Sequence, residues 1–189
     1  MVSRRSESGR SLRRLLGPSG GRARLILAIG GAVVLLDAIT KAVAVHDLEG
    51  RRPVEILGGA IRFDLYRNFA GPNNILPGHT VAISLFAIAA VIVLLGVAHR
   101  VSSTAGAVAV GLLLGGAIGN LLDRLLREPG PLRGGVVDWL RLTDRTQSMN
   151  LADLAIDGAI AVLLIGALLG WWSGRRSSEG DPLVSRPPG

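Results

Sequence analysis

No cysteine occurs in this chain, which excludes disulfides, thiol nucleophiles, Cys-ligated zinc and acyl anchors on the chain itself. Aromatic residues are scarce at 4 %, and lysine occurs once, as Lys41, among 21 basic residues that are otherwise arginine. Nearly half of the residues are apolar, and 26 are glycine, the mix expected where lipid-embedded helices approach closely. A formal charge of +7 invites a nucleic-acid reading, but the arginines lie between apolar stretches and at the two ends instead of along one segment. The charge therefore describes membrane topology, and no nucleic-acid partner is implied.

Four apolar stretches, at roughly 25–45, 80–98, 104–122 and 151–172, each approach the length of about 20 residues that a helix needs to cross a bilayer. The second and third contain no charge. Residues 1–24 carry seven arginines against Glu7 and read as a disordered basic cytoplasmic arm; residues 173–189 read as a disordered cytoplasmic tail. The Arg-rich start followed by an apolar run and Ala42-Val43-Ala44 also resembles a signal peptide. Asp37 and Lys41 interrupt it where a signal peptide is uncharged, so a first span is preferred.

Orientation follows from the loops. The arm, the tail (Arg175, Arg176, Arg186) and the turn holding Arg100 are positive and belong in the cytoplasm. Residues 46–79 hold four arginines and four acids, and 123–150 hold five arginines and four acids, so both belong outside. Trp171 and Trp172 suit an aromatic belt at the cytoplasmic surface. Short β-like runs at Val54 to Leu57 and Ala60 to Tyr66, around Gly58-Gly59, predict a small extracytoplasmic hairpin within 53–67. The fold class is thus an all-α membrane protein, a four-helix bundle with a small β region outside.

Charged or amide side chains inside spans are costly, so each is a functional candidate. Asp37 and Lys41 fall in the outer half of helix 1, four apart on one face, and either lock that helix to the bundle as an ion pair or take part in chemistry. Helix 3 ends in Asn120, Asp123 and Arg124. The two charges suit interfacial caps, while the arginine could also bind a phosphate or a peptide carbonyl. Val136-Val137-Asp138-Trp139-Leu140 sets one acid among apolar neighbours in a returning loop, and Asn150-Leu151-Ala152-Asp153 opens helix 4 with Asn150 as N-cap. Asp153 could simply cap its helix and Asp138 be a surface acid. If the two meet, one holds a proton and the other does not, which is the state an aspartic peptidase uses. A small polytopic transporter or proton-relay protein is the alternative; it predicts polar groups at inner depths too, where helices 2, 3 and 4 hold no charge.

Taken together, Asp37-Ala38-Ile39-Thr40-Lys41, Gly115 through Arg124, Val136-Val137-Asp138-Trp139 and Asn150-Leu151-Ala152-Asp153 resemble, in order and position, the motif set of signal peptidase II, the lipoprotein signal peptidase. The resemblance covers about residues 25–172. It implies an aspartic endopeptidase of the bacterial cytoplasmic membrane, a monomer among membrane lipids, which cleaves prolipoprotein signal peptides just before the lipid-modified cysteine. No metal or cofactor is implied. Asp138 and Asp153 would be the catalytic dyad; Asn120 and Arg124 would position the substrate, Asn150 would stand beside Asp153, and Asp37, Lys41 and Asp123 would hold or line the site. The family's β-cradle matches the hairpin. Asn68 best matches an asparagine that the family has after the hairpin, although Phe69-Ala70-Gly71-Pro72-Asn73-Asn74 departs from the usual small residues and Phe. Asp157, one turn below Asp153, is outside the motif set and reads as a structural polar contact, or else as a third acid or a partner for Lys41.

Overall fold

The computed structural model describes residues 18–71, 76–142 and 147–179. The arm up to residue 17, the tail from residue 180 and part of the segment after Asn68 lie outside them.

Four helices follow the four apolar stretches: α1, Pro18–Leu48; α2, Thr80–Ala98; α3, Thr104–Leu126; and α4, Leu151–Glu179. Each contains a portion long and apolar enough to span a membrane, at Gly20–Leu48, Thr80–Ala98, Thr104–Leu126 and Leu151–Ser173. Three helices run past their expected ends, α3 by the four residues to Leu126. α1 is already helical at Pro18, the first described residue, so residues 18–24 are helical. α4 continues beyond Trp172, where Arg175 lies over the Trp171 ring at 4.2 Å from its centroid. α3 has a side-chain cap, Ser103, whose hydroxyl accepts from the Gly106 N–H at 3.0 Å.

The β region has three antiparallel strands in the order β1 (Val54–Ile56), β2 (Ile61–Asn68), β3 (Val136–Leu142). The first two form the expected hairpin. Its turn passes through Gly58 at φ 66°, a left-handed conformation that suits glycine. The third strand corrects the sequence reading, which placed Asp138 in a loop. Val136 to Leu142 pairs with β2 from Asn68 to Ile61, across some seventy positions of sequence that no local pattern reveals. Between Phe63 and Tyr66 the register shifts, so Asp64 and Leu65 face the single residue Trp139 in a β-bulge.

α3 is the central helix. Ten of its residues are buried, among them Gly111, Gly115, Gly116 and Gly119. A Cβ on Gly115 would stand 2.6 Å from the Val33 Cβ and 2.8 Å from the Gly30 carbonyl, so the α1–α3 crossing requires glycine there. Away from the sheet, Ile26, Ala107, Val110 and Leu114 make an apolar core, with Val91, Leu94 and Ala98 of α2 against it. Large apolar side chains such as Leu35, Ile92 and Leu168 are exposed, as expected of helices solvated by lipid. At the sheet end the interior becomes polar: Asp37, Lys41, Asp123, Arg124, Asp138 and Asn150 are all buried.

Candidate active site

Lys41 organises the helical half of this interior. Its Nζ lies 2.7 Å from Asp37 Oδ2, 2.9 Å from Asp123 Oδ2 and 3.0 Å from Asn120 Oδ1, at 1 % exposure. An ammonium has three N–H donors and no acceptor, so these three acceptors satisfy it fully. Asp37 in turn accepts the Ala152 N–H at 3.0 Å, one of the N–H groups that the start of α4 leaves open. The Asp37/Lys41 pair thus fastens α1 to both α3 and α4. Gly119 makes room for it, since a Cβ there would meet Asp37 Oδ2 at 2.7 Å.

Asp123 does more than cap α3. Its Oδ2 also accepts the Val137 N–H at 3.1 Å, fixing β3 next to Asp138, and its Oδ1 is paired with Arg127. Arg124 is buried and donates to the Gly134 carbonyl at 3.3 Å; its charge also acts on Asp138 and Asp123. A guanidinium carries five N–H donors in a fork that suits a carbonyl or carboxylate.

The two acids singled out in the sequence come together around Asn150. The Asn150 amide donates to Asp138 Oδ1 at 2.7 Å and to Asn120 Oδ1 at 3.0 Å. Its side-chain oxygen accepts the Asp153 N–H at 3.0 Å, while its own backbone N–H donates to Asp153 Oδ2 at 3.2 Å, a reciprocal cap at the start of α4. Asn120 completes the ring by donating to Asp153 Oδ1 at 2.8 Å. Its amide orientation is dictated chemically: Lys41 can only donate, so the oxygen faces Lys41 and the nitrogen faces Asp153.

Asn68, at the end of β2, donates to Asp138 Oδ2 at 3.1 Å and accepts the Ala70 and Gly71 N–H groups at 3.1 and 3.0 Å. The residue therefore joins the site through an Asx turn, whatever the sequence after it. Asp138 is wholly buried, and burial pushes its carboxyl up to about 7, with the nearby Asp153 adding to the effect and the Asn68 and Asn150 hydrogen bonds opposing it.

Asp157 is not one of the acceptors of the Lys41 ammonium. It is exposed on α4, and the acceptors around Lys41 are Asp37, Asp123 and Asn120. Sequence reasoning missed Gly119 and the Gly134 carbonyl, whose signals were the Gly-rich run before Asn120 and the Gly134-Gly135 pair before β3. It also missed Asp64, Arg141 and Ser148, which lie in segments where the charges nearly balance. Among the described residues no cluster of His, Cys, Asp and Glu could hold a metal ion.

A four-span bundle whose sheet end joins a buried acid, Asp138, and a half-buried one, Asp153, in one amide network defines a polytopic membrane protein with a carboxylate-centred site. A family model described as Signal peptidase (SPase) II matches residues 29–169, and the chain belongs to that family. The lipoprotein signal peptidase of Mycobacterium tuberculosis (strain ATCC 25618 / H37Rv) is 36% identical over 162 residues, covering 84% of this chain and 80% of its own length. That of Leifsonia xyli subsp. xyli (strain CTCB07) is 37% identical over 172 residues, covering 90% and 80%. A solved bacterial membrane enzyme shares the fold at a TM-score of 0.67 and 21% identity, covering 87% of this chain and 94% of its own.

Proposed function

We propose that the chain removes signal peptides from prolipoproteins in a bacterial membrane, cutting just before the lipid-modified cysteine, with Asp138 and Asp153 as an aspartic catalytic pair. The observation that carries the aspartic reading is the Asn150 side chain and backbone, which tie one acid from a strand and one from a helix into a single hydrogen-bonded unit. Family membership and the lipoprotein signal peptidases among its relatives support the substrate class.

Asp138, with its carboxyl at about 7, holds the shared proton near neutral pH; Asp153 is the base. A water donates a proton to Asp153 as its oxygen adds to the scissile carbonyl carbon, and Asp138 gives its proton to the carbonyl oxygen. Collapse of the tetrahedral species returns a proton from the diol to Asp138, while Asp153 protonates the departing amine and the C–N bond breaks. The Arg124 fork and the spare Asn120 N–H hold the substrate backbone across the pair.

In this reading the sheet end faces outward, both termini are cytoplasmic, and the enzyme works as a monomer among lipids. The proton-relay alternative is not favoured: among the described residues the buried ionisable groups, Asp37, Lys41, Asp123, Arg124 and Asp138, all sit at the sheet end, with none along a path to the other side.

Asp138→Asn and Asp153→Asn should each lower cleavage of a lipidated preprotein by roughly 10³-fold or more while the helices stay folded. Wild-type turnover by either variant would sink the dyad. Activity should also fall as pH rises past about 7, where Asp138 loses its proton. Because its folded value lies above the ordinary 3.8, the stability that Asp138 contributes is fully present below about 3.8, falls as pH rises from there and is gone once pH passes about 7, and Asp138→Asn should flatten the slope in that window.

A further inference from the structure

Asn150 sets both acids, and apart from its own N–H bond to Asp153 its position depends on the segment that leads into it. Among the described residues before it, 147–149 belong to neither a helix nor a named strand. What holds them is the sheet. Met149 exchanges backbone hydrogen bonds with Leu140, at 2.7 and 2.9 Å, in a single isolated bridge. Next to it Ser148 is buried at 7 % exposure, and its hydroxyl donates to Asp64 Oδ1 at 3.0 Å while accepting from Arg141 Nε and Nη2 at 3.2 and 3.1 Å. Arg141 Nη2 also meets Asp64 Oδ2 at 2.9 Å, closing a three-membered ring.

Asp64 lies in the β-bulge opposite Trp139, the residue that follows Asp138. A bulge adds one residue to a strand and re-aims the side chains beside it. Here it brings an acid of β2 to a serine outside the sheet. The hydroxyl is buried and fully used, one donor and both lone pairs, while the Arg141 and Asp64 side chains remain 33% and 16% exposed, so loss of Ser148 leaves its two partners with one bond fewer each to the segment.

We infer that Asp64, Arg141 and Ser148 form a clamp that fixes the Ser148-Met149-Asn150 segment against the bulged sheet, and thereby sets the spacing of Asp138 and Asp153 through Asn150. They are positioning residues, since none touches the acids directly. The inference rests on the proposed peptidase reading. A clamp of this kind acts on the step in which both acids exchange protons, so it bears on kcat and leaves the signal-peptide contacts that dominate KM in place.

The test uses the full chain in lipid nanodiscs with a lipidated preprotein, and rates are expressed per folded enzyme from thermal unfolding. Ser148→Ala and Asp64→Asn should lower kcat roughly 10- to 100-fold with KM changed less than about threefold. Ser148→Thr, which keeps the hydroxyl, should recover most of the loss. A wild-type kcat in both Ser148→Ala and Asp64→Asn would overturn the clamp, as would a loss seen only in folded fraction or only in KM. Asp138→Asn and Asp153→Asn are run beside them: if these are inert while the clamp variants match wild type, the peptidase reading stands and only the clamp fails. If they turn over normally, the dyad itself has failed.

Discussion

α2 and α3 are consecutive helices of similar length, joined by a short turn, and they occupy opposite situations. α2 has only Ser84 buried, whereas α3 buries ten residues, from Ala107 to Arg124. The more uniformly apolar helix is the one that lies at the edge. In lipid, a leucine gains little by leaving the acyl chains for a protein interior, so apolarity does not draw a helix inward. What draws α3 inward is its glycines, which let backbones touch, and its polar end, which hydrocarbon cannot solvate. α2 is attached by Val91, Leu94 and Ala98 against the apolar core and, at its other end, by two hydroxyls: Ser84 donates to the Leu132 carbonyl at 2.8 Å and Thr80 to the Phe69 carbonyl at 2.9 Å.

That contrast can be broken from either side. The largest effect is expected for Gly115→Leu, whose side chain has no space against Val33 and the Gly30 carbonyl; α1 must leave α3 and take Asp37 with it, abolishing both cleavage and the cooperative thermal transition in detergent. Lys41→Met comes next. It leaves Asp37 and Asp123 buried without their cation, which should cost about 3–5 kcal/mol and lower the midpoint of unfolding, with cleavage falling as the site opens. Ser84→Ala should loosen α2 by about 1 kcal/mol, measurable as faster hydrogen exchange around Leu132, while cleavage persists. The smallest change is expected for Ile92→Ala on the lipid face of the same helix, within about 0.5 kcal/mol of wild type. If Ile92→Ala proved more damaging than Ser84→Ala, the account of what holds α2 would be wrong.

The same physics decides how much could be read in advance. The four spans were legible because a bilayer demands long apolar runs, and the site residues because a charge near such a run is costly. Asp138 was legible as an acid among apolar neighbours, yet its strand was not: β3 is defined by a partner, β2, that is remote in sequence, and a five-residue apolar run with one acid shows no alternation. The helical residues 18–24 were missed because seven arginines against one acid in residues 1–24 read as a disordered arm. The polar ring of Asn120, Asn150 and Lys41 was anticipated only as a common depth. Which amide meets which acid depends on a crossing set by Gly115 and Gly119, and glycines carry no side-chain label of what they face.

Lys41 has one more implication. It supplies the only ε-amine of the chain, at 1 % exposure inside a cage of two carboxylates and an amide oxygen. An amine-selective reagent added to the intact protein therefore meets no side-chain amine until α1 parts from α3. Apart from the α-amine, covalent tagging of this molecule would amount to a clock for the opening of its helices.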